Sequence, residues 1–314
     1  MFKILITDRF AVSAVERLRT TEGIDVTQIE PSEIHIFDVS PFDAFLIRSR
    51  TIVDEKLINK AKSLKLVITS TSGFDHINVA YCKSKKILAC YTPEANAQSA
   101  AELAWGLVLA CSRKLISANE MIKNANWDRH HVVGHELYKK TLGIIGLGRV
   151  GQRVAKIANA FNMHVLANDP YVGDEAFSLA GAHRAGWEEV LRSSDIVTLH
   201  VPLTKETKGF INSSTLDCLN HGAILINTSR GQVMNEQAVV EFLKSGRVSA
   251  VGLDVFEKEP LPKTSALIEL PNVVLTPHIG ANTIEAFERG SHAAVDKVLA
   301  FLQGKSVEDN LCQR

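Results

Sequence analysis

Leu142-Gly-Ile-Ile-Gly-Leu-Gly-Arg-Val-Gly151 is the stretch on which the fold of this chain turns. Leu142 to Gly146 form a buried-strand run, and Arg149 to Phe161 follow with apolar Val150, Val154, Ile157, Ala158 and Phe161 at helical spacing. Between them Gly146 makes a tight turn, Gly148 lets backbone approach a pyrophosphate, and Gly151 permits close packing of helix on strand. The first turn of the helix, with Arg149 and Val150, adds unpaired N–H groups and the positive end of the helix dipole. Asp169 ends the next apolar run, His164-Val-Leu-Ala-Asn, where a carboxylate accepts hydrogen bonds from adenosine ribose hydroxyls. A 2′-phosphate would meet like charge there, and Asn168 to Asp174 contain no Lys or Arg to offset it. NAD is therefore expected rather than NADP. The competing view is a structural glycine turn that binds no nucleotide; strand, helix and acid occurring together weigh against it.

Working outward, short β-rich runs alternate with helical patterns over nearly the whole chain, as βαβ units around parallel sheets require. One set places strands at Lys3–Thr7, Asp43–Arg48, Leu64–Ser70 and Lys86–Tyr91. Thr92-Pro93 breaks the pattern, Glu94 to Arg113 read as one long helix, and Trp127 to Lys140 read as a polar arm. A second set places six strands at Leu142–Gly146, His164–Asp169, Asp195–Val201, Ala223–Thr228, Val248–Asp254 and Val273–Thr276. Thr283 to Gln303 then form a last helix, which with no linker before it is expected to pack back on the first set. The fold class is α/β, with two doubly wound parallel-sheet domains. A flavodoxin-like substrate domain would take residues 1–93 and 284–314, and a Rossmann NAD domain residues 94–283. There is no internal repeat and no low-complexity tract.

Composition narrows the class further. The 314 residues suffice for two cores, and Lys+Arg and Asp+Glu stand at 35 each. That balance gives no electrostatic reason to expect nucleic acid or an anionic membrane as partner. Five scattered cysteines without a CxxC pair argue against a disulfide framework and a zinc site, and suit a reducing cytoplasm. The longest apolar stretch, Leu103 to Cys111, falls well short of the roughly 20 residues of a membrane span.

Three polar residues follow strands of the second set: Arg230, Glu259 and His278. A guanidinium can hold a carboxylate bidentately. An imidazole can take and return the proton of a hydroxyl, with a carboxylate beside it fixing its tautomer. Hydride transfer from a 2-hydroxy acid needs those three groups together. Singly, each has a plainer role: a solvated charge, a turn residue before Pro260, a satisfied turn histidine. Spacing alone does not show that they converge.

The segments Thr141–Gly151, Asn227-Thr-Ser-Arg-Gly231, Gly252-Leu-Asp-Val-Phe-Glu-Lys-Glu-Pro260 and Thr276-Pro-His-Ile-Gly280 resemble the D-2-hydroxyacid dehydrogenase family, in order and over nearly the full chain. The resemblance implies substrate binding by Arg230 and an acid/base pair of His278 and Glu259. It implies a nicotinamide contact at Asp254 and a cofactor cleft that also takes in Thr228, Ser229 and Gly280. It further implies that His200-Val-Pro202 lines that cleft, a strand cap being the equal alternative. Glu259 separates the chain from the related formate dehydrogenases, which carry Gln there.

On the substrate side, Ile47-Arg-Ser-Arg-Thr51 and Ser70-Thr-Ser-Gly-Phe-Asp-His76 each follow a strand. Backbone N–H groups around Ser72 and Gly73 could nest a carboxylate, as the family resemblance also implies. Arg48 and Arg50, flanking Ser49, exceed what a monocarboxylate demands and would suit a second anion such as a phosphate, unless one of them faces solvent or an acidic partner. Arg-Ser-Arg-Thr brings the chain closest to the D-3-phosphoglycerate dehydrogenase branch, and its stop at Arg314 matches the short form, without a regulatory module. The expected substrate is a 2-hydroxy or 2-oxo acid, 3-phosphoglycerate ahead of hydroxypyruvate, glyoxylate or D-lactate types. A different class, an NAD-sensing protein like the corepressors of this fold, stays open as the alternative. His130, His131 and His135 invite a metal reading, but Gly134 and Val132-Val133 oppose the helix that would align them, so no metal is expected. The family uses this arm to reach a second subunit, which implies a homodimer through the cofactor domain and residues 127–140.

Overall fold

A computed structural model describes residues 1–313, in which every strand lies in one of two wholly parallel sheets. β1 (Phe2–Thr7), β2 (Ile24–Ile29), β3 (Ala44–Ile47), β4 (Leu66–Thr69) and β5 (Leu88–Cys90) form the first, in the order β2-β1-β3-β4-β5. β6 (Thr141–Ile145), β7 (His164–Asn168), β8 (His183–Arg184), β9 (Ile196–Leu199), β10 (Ala223–Asn227), β11 (Val248–Leu253) and β12 (Val273–Leu275) form the second, in the order β12-β11-β10-β9-β6-β7-β8. The chain divides into two compact units, Met1–Ala97 together with the chain from Ala281 onward, and Gln98–Gly280.

In the first unit, β3 and β4 are buried along their whole length, because helices cover both faces of a central parallel strand. One face packs Phe45, Ile47 and Val67 with Leu57 and Cys82; the other packs Ile4, Ile6, Leu46 and Ile68 with Leu18. The last helix, Ile284–Leu302, completes that second face with Ala294, Val295 and Val298 at turn spacing. Thr283 caps it by accepting the Ala286 N–H at 3.1 Å. Gly290 lets it come close: a Cβ there would stand 2.8 Å from the Ser70 carbonyl oxygen.

In the second unit, the helix Arg149–Ala160 lays Gly151, Val154, Ala155 and Ala158 against the sheet. It shares a core with Leu142, Ile144 and Val165, and with Ala104, Leu107 and Val108 of the helix Ala97–Ser112. Several elements depart from the sequence pattern, among them the helix Asp174–Ala180, which that pattern did not mark. β2 is an edge strand whose polar Asp25 and Gln28 lie open to solvent, and β8 is a two-residue edge strand; neither shows an apolar run. Glu94 to Arg113 shortens to Ala97–Ser112, and a separate helix, Leu115–Lys123, follows Lys114 in a left-handed conformation at φ 49°. Among the described residues no helix is long and apolar enough to cross a membrane.

Candidate functional site

Both sheets reverse their order beside their first strand, and ligands of such sheets bind beyond the strand C-termini at that reversal. In the second unit it falls between β6 and β9. Gly146, at φ 94°, turns the chain where a Cβ would lie 2.6 Å from the His200 carbonyl oxygen. A Cβ on Gly151 would collide with the Gly146 carbonyl, which is why helix and turn can close only on glycine. Gly148 differs: nothing stands within 4 Å of where its Cβ would be, and as N-cap it offers no side-chain oxygen to the first helical N–H groups. Open space over exposed helix donors is what a pyrophosphate needs. Asp169 is held at this turn, accepting the Leu147 N–H at 2.8 Å on Oδ2 and the Tyr171 N–H at 2.9 Å on Oδ1. The Thr228 hydroxyl, after β10, is buried without a hydrogen-bond partner. An orphaned donor at a C-terminal strand end of the same sheet as the open glycine turn fits a bound dinucleotide.

Sequence inspection of Asn168 to Asp174 missed one cation there. Arg184 arrives from β8, donating to the carbonyls of Asp169 (3.4 Å) and Val172 (2.7 Å), and its Nε pairs with Asp174 at 2.9 Å. The charge lies 15 residues downstream in the chain, so only strand pairing brings it near.

Beyond β10, β11 and β12 the three candidate catalytic residues sit on loops tied to one another. Asn227, fully buried, accepts the Ser229 N–H (3.0 Å) and Oγ–H (2.8 Å) and donates to the Arg230 carbonyl (3.0 Å). Gly231 abuts the next loop so closely that a Cβ would collide with the Phe256 carbonyl. Glu259 accepts the Phe256 N–H on Oε1 at 3.1 Å, and its Oε2 lies 2.6 Å from His278 Nδ1. An ionised carboxylate only accepts, so Nδ1 carries the proton and Nε2 is the basic nitrogen of the neutral ring. His278 holds φ 53°, an uncommon conformation for a side-chain-bearing residue. Asp254 maintains it: Oδ1 accepts Thr276 Oγ1–H (2.6 Å) and the Ile279 N–H (2.8 Å), and Oδ2 accepts the Gly280 N–H (2.8 Å). Asp254 is thus the strut of the histidine loop, and Asn227 that of the arginine loop. Neither was identifiable in that role from spacing, because each acts on residues two to twenty-six positions away. The Arg230 Nη1 donates to its neighbour's carbonyl, Ser229 O, at 2.7 Å.

His200 ends β9 with its Nε2 3.0 Å from Thr198 Oγ1, and burial pushes its imidazole down to about 4. Such a ring is neutral at pH 7, as a strand cap would be. Pro202 follows as the acceptor of the Thr207 hydroxyl at 2.6 Å.

The first unit presents Arg48 to Arg50 after β3 and Ser70 to Gly73 after β4. The two arginines part company. Arg50 is spoken for: Nη2 and Nε donate to Asp8 at 2.6 and 3.0 Å, the acidic partner the sequence had left open. Arg48 keeps a buried Nη1 without a partner, while its guanidinium carbon lies 5.2 Å from the Phe287 ring centre. Burial lowers its pKa, the charges of Arg50 and Arg9 add to that, and Asp8 opposes it. Ser49 is exposed beside it. Ser72 donates to Asn96 Oδ1, a residue unmarked by the motif, leaving the backbone at Gly73 as the candidate anion nest. His131 pairs with Asp128 at 2.5 Å, and no group of three metal-ligating side chains gathers among the described residues.

Comparisons with known proteins agree with this geometry. A family model described as D-isomer specific 2-hydroxyacid dehydrogenase, NAD binding domain, matches residues 105–280. The chain is 38% identical over 307 residues to the D-3-phosphoglycerate dehydrogenase of Bacillus subtilis, covering 98% of itself but 58% of that protein. It is 37% identical over 300 residues to the hydroxypyruvate reductase of Thermotoga maritima, covering 95% of itself and 97% of that relative. Its fold matches a D-lactate dehydrogenase from Aquifex aeolicus, solved with NAD and lactic acid, with a TM-score of 0.83 at 30% identity over 96% of each chain. The chain thus spans well under two thirds of the length of the phosphoglycerate dehydrogenase relative.

Proposed function

Because the chain belongs to the D-isomer specific 2-hydroxyacid dehydrogenase family, we propose that it transfers a hydride between NAD and a D-2-hydroxy acid. The observation that carries this is the contact of Glu259 with His278 Nδ1 at 2.6 Å, which directs the basic nitrogen outward. Bound there, the nicotinamide cofactor would supply a hydride acceptor for C2 in its oxidised form and a hydride donor for the reverse reaction in its reduced form. His278 Nε2 takes the hydroxyl proton as that hydride leaves, and gives it back during reduction. The imidazolium so formed has the Glu259 carboxylate beside it. Arg230 holds the substrate carboxylate, positioned by Asn227. Gly146, Gly148, Arg149, Val150 and Gly151 would hold the pyrophosphate, and Asp169 the adenosine ribose. Asp254, Thr228, Ser229 and Gly280 would hold the nicotinamide end, Asp254 also fixing the histidine loop. His200 and Pro202 border the same cleft, His200 as an uncharged wall.

The proposed acid pair is 3-phosphoglycerate and 3-phosphohydroxypyruvate, supported by the phosphoglycerate dehydrogenase relative and by the unpartnered Arg48 Nη1, with Ser72 and Gly73 as the carboxylate nest. Hydroxypyruvate is the second reading, favoured by the Asp8 partner that occupies Arg50. NADH oxidation followed at 3-phosphohydroxypyruvate, hydroxypyruvate, glyoxylate and pyruvate decides among them. Turnover of none, with NADH still bound tightly, overturns the enzyme in favour of an NAD-sensing protein. A homodimer through the second unit and the 127–140 arm is proposed as well, since Leu115, Ile116, Ile122, Trp127, Val133 and Tyr138 all stand exposed there. A monomer by light scattering at micromolar concentration sinks that part.

A further inference from the structure

β1 and β3 are the neighbours between which the first sheet reverses its order, so Asp8 and Arg50 stand together at that unit's own ligand edge. Asp8 is 6% exposed and holds φ 131°, a positive-φ conformation that side-chain-bearing residues rarely adopt. Several contacts keep it there. Its Oδ1 accepts the Arg9 N–H at 2.7 Å and Arg50 Nη2 at 2.6 Å, its Oδ2 accepts Arg50 Nε at 3.0 Å, and its carbonyl accepts Gln28 Nε2 at 2.9 Å. Glu30 adds a second carboxylate 3.9 Å from Arg50 Nη2. Two parallel N–H donors facing one carboxylate are the geometry in which a guanidinium receives a phosphate. The same two donors cannot serve both anions. Arg48, in no such pair, keeps its buried Nη1 unpartnered.

We propose that Asp8 sets the substrate charge class of this unit: it competes with a distal phosphate for Arg50 and opposes that phosphate with like charge. A phosphorylated acid then meets the unpartnered Nη1 of Arg48, and must displace Asp8 to gain Arg50. An acid without phosphate loses nothing to the pair. Asp8 is accordingly a positioning residue acting through Arg50, and the proposal rests on the dehydrogenase reading for its substrates though not for its anion.

The test compares the protein with Asp8→Asn, which keeps the side-chain shape, and Asp8→Gly, which adopts φ 131° freely and so guards against a failure to fold. KM and kcat are measured for 3-phosphohydroxypyruvate and hydroxypyruvate, two acids that differ by the phosphate. Both variants are expected to shift the ratio of the two KM values about tenfold or more toward the phosphorylated acid, with the ratio of kcat values unmoved. A ratio of KM values that stays within about twofold of the original overturns the proposal, since a merely structural pair would weaken both acids alike. If the unaltered protein reduces neither acid, the dehydrogenase reading falls by itself. Calorimetric titration with inorganic phosphate then decides: tighter binding in the variants supports competition by Asp8, and equal or absent binding in all three refutes it.

Discussion

His278 and His200 both lie beyond strands of the same sheet and meet opposite surroundings. His278 has a carboxylate at 2.6 Å, about half of its side chain in solvent, and a backbone held left-handed by Asp254. His200 has a threonine hydroxyl at 3.0 Å and a burial that pushes its imidazole down to about 4. One ring has a carboxylate beside it; the other, partly buried against a hydroxyl, is held neutral by the cost of burying its charge. The contrast teaches that a histidine at a strand end is assigned by what faces its two nitrogens, and position in the sheet says little.

The sharpest way to break the contrast is to exchange the two roles by mutation. Replacing His278 by Ala should lower kcat about 10²–10⁴-fold, the usual range of a positioned acid/base, while His200→Gln should cost far less. Equal losses in the two, measured by NADH oxidation, would erase the distinction. The next effect is on stability. Between pH 6.5 and about 4 the unfolded chain protonates His200 and the folded one refuses the proton, so stability is full above that window and falls as the pH drops through it. The loss should reach the order of 2 kcal/mol by pH 5. Urea unfolding at pH 7 and pH 5 should therefore show a smaller pH effect in His200→Gln than in the original protein; identical slopes contradict the buried assignment. Glu259→Gln comes third. It leaves a neutral partner on Nδ1 and should reduce kcat about 10–100-fold, visible as a drop in kcat with KM nearly kept. Last comes Arg50→Met. The guanidinium is more than half exposed, but the buried Asp8 carboxylate keeps only the Arg9 N–H once it is gone, so the loss of stability should be about 1–3 kcal/mol by urea unfolding.

Much of this was legible in the chain because local chemistry writes it there. The apolar runs of β3, β4, β6 and β10 and the glycines of the nucleotide turn are local signals, and both doubly wound sheets follow from them. Arg230, Glu259 and His278 were visible as residue types after strands, with the Glu259–His278 contact supplied by folding. What stayed hidden depends on pairing across the sheet. β2 and β8 are edge strands without the apolar run that burial on both faces demands. Arg184 and Asp254 act through hydrogen bonds to residues that only the strand order brings near, while Asn227 braces its own turn through Ser229 and Arg230, a role its residue type does not mark. Asp8 reads as an unremarkable acid after β1 until Arg50 arrives 42 positions later.

The helix Ile284–Leu302 also bears on how the protein is made. A ribosome delivers β1 to β5 before the second unit, yet the face formed by Ile4, Ile6, Leu46 and Ile68 is closed by Ala294, Val295 and Val298, which emerge only after it. All of Gln98–Gly280 must be synthesised in between, which takes roughly 10–40 s at about 5–20 residues per second. The second unit, continuous in the chain, can complete its own core in that interval. The amino-terminal unit is thus begun first and finished second, and for those seconds its uncovered sheet face is the part of the nascent chain most in need of a chaperone.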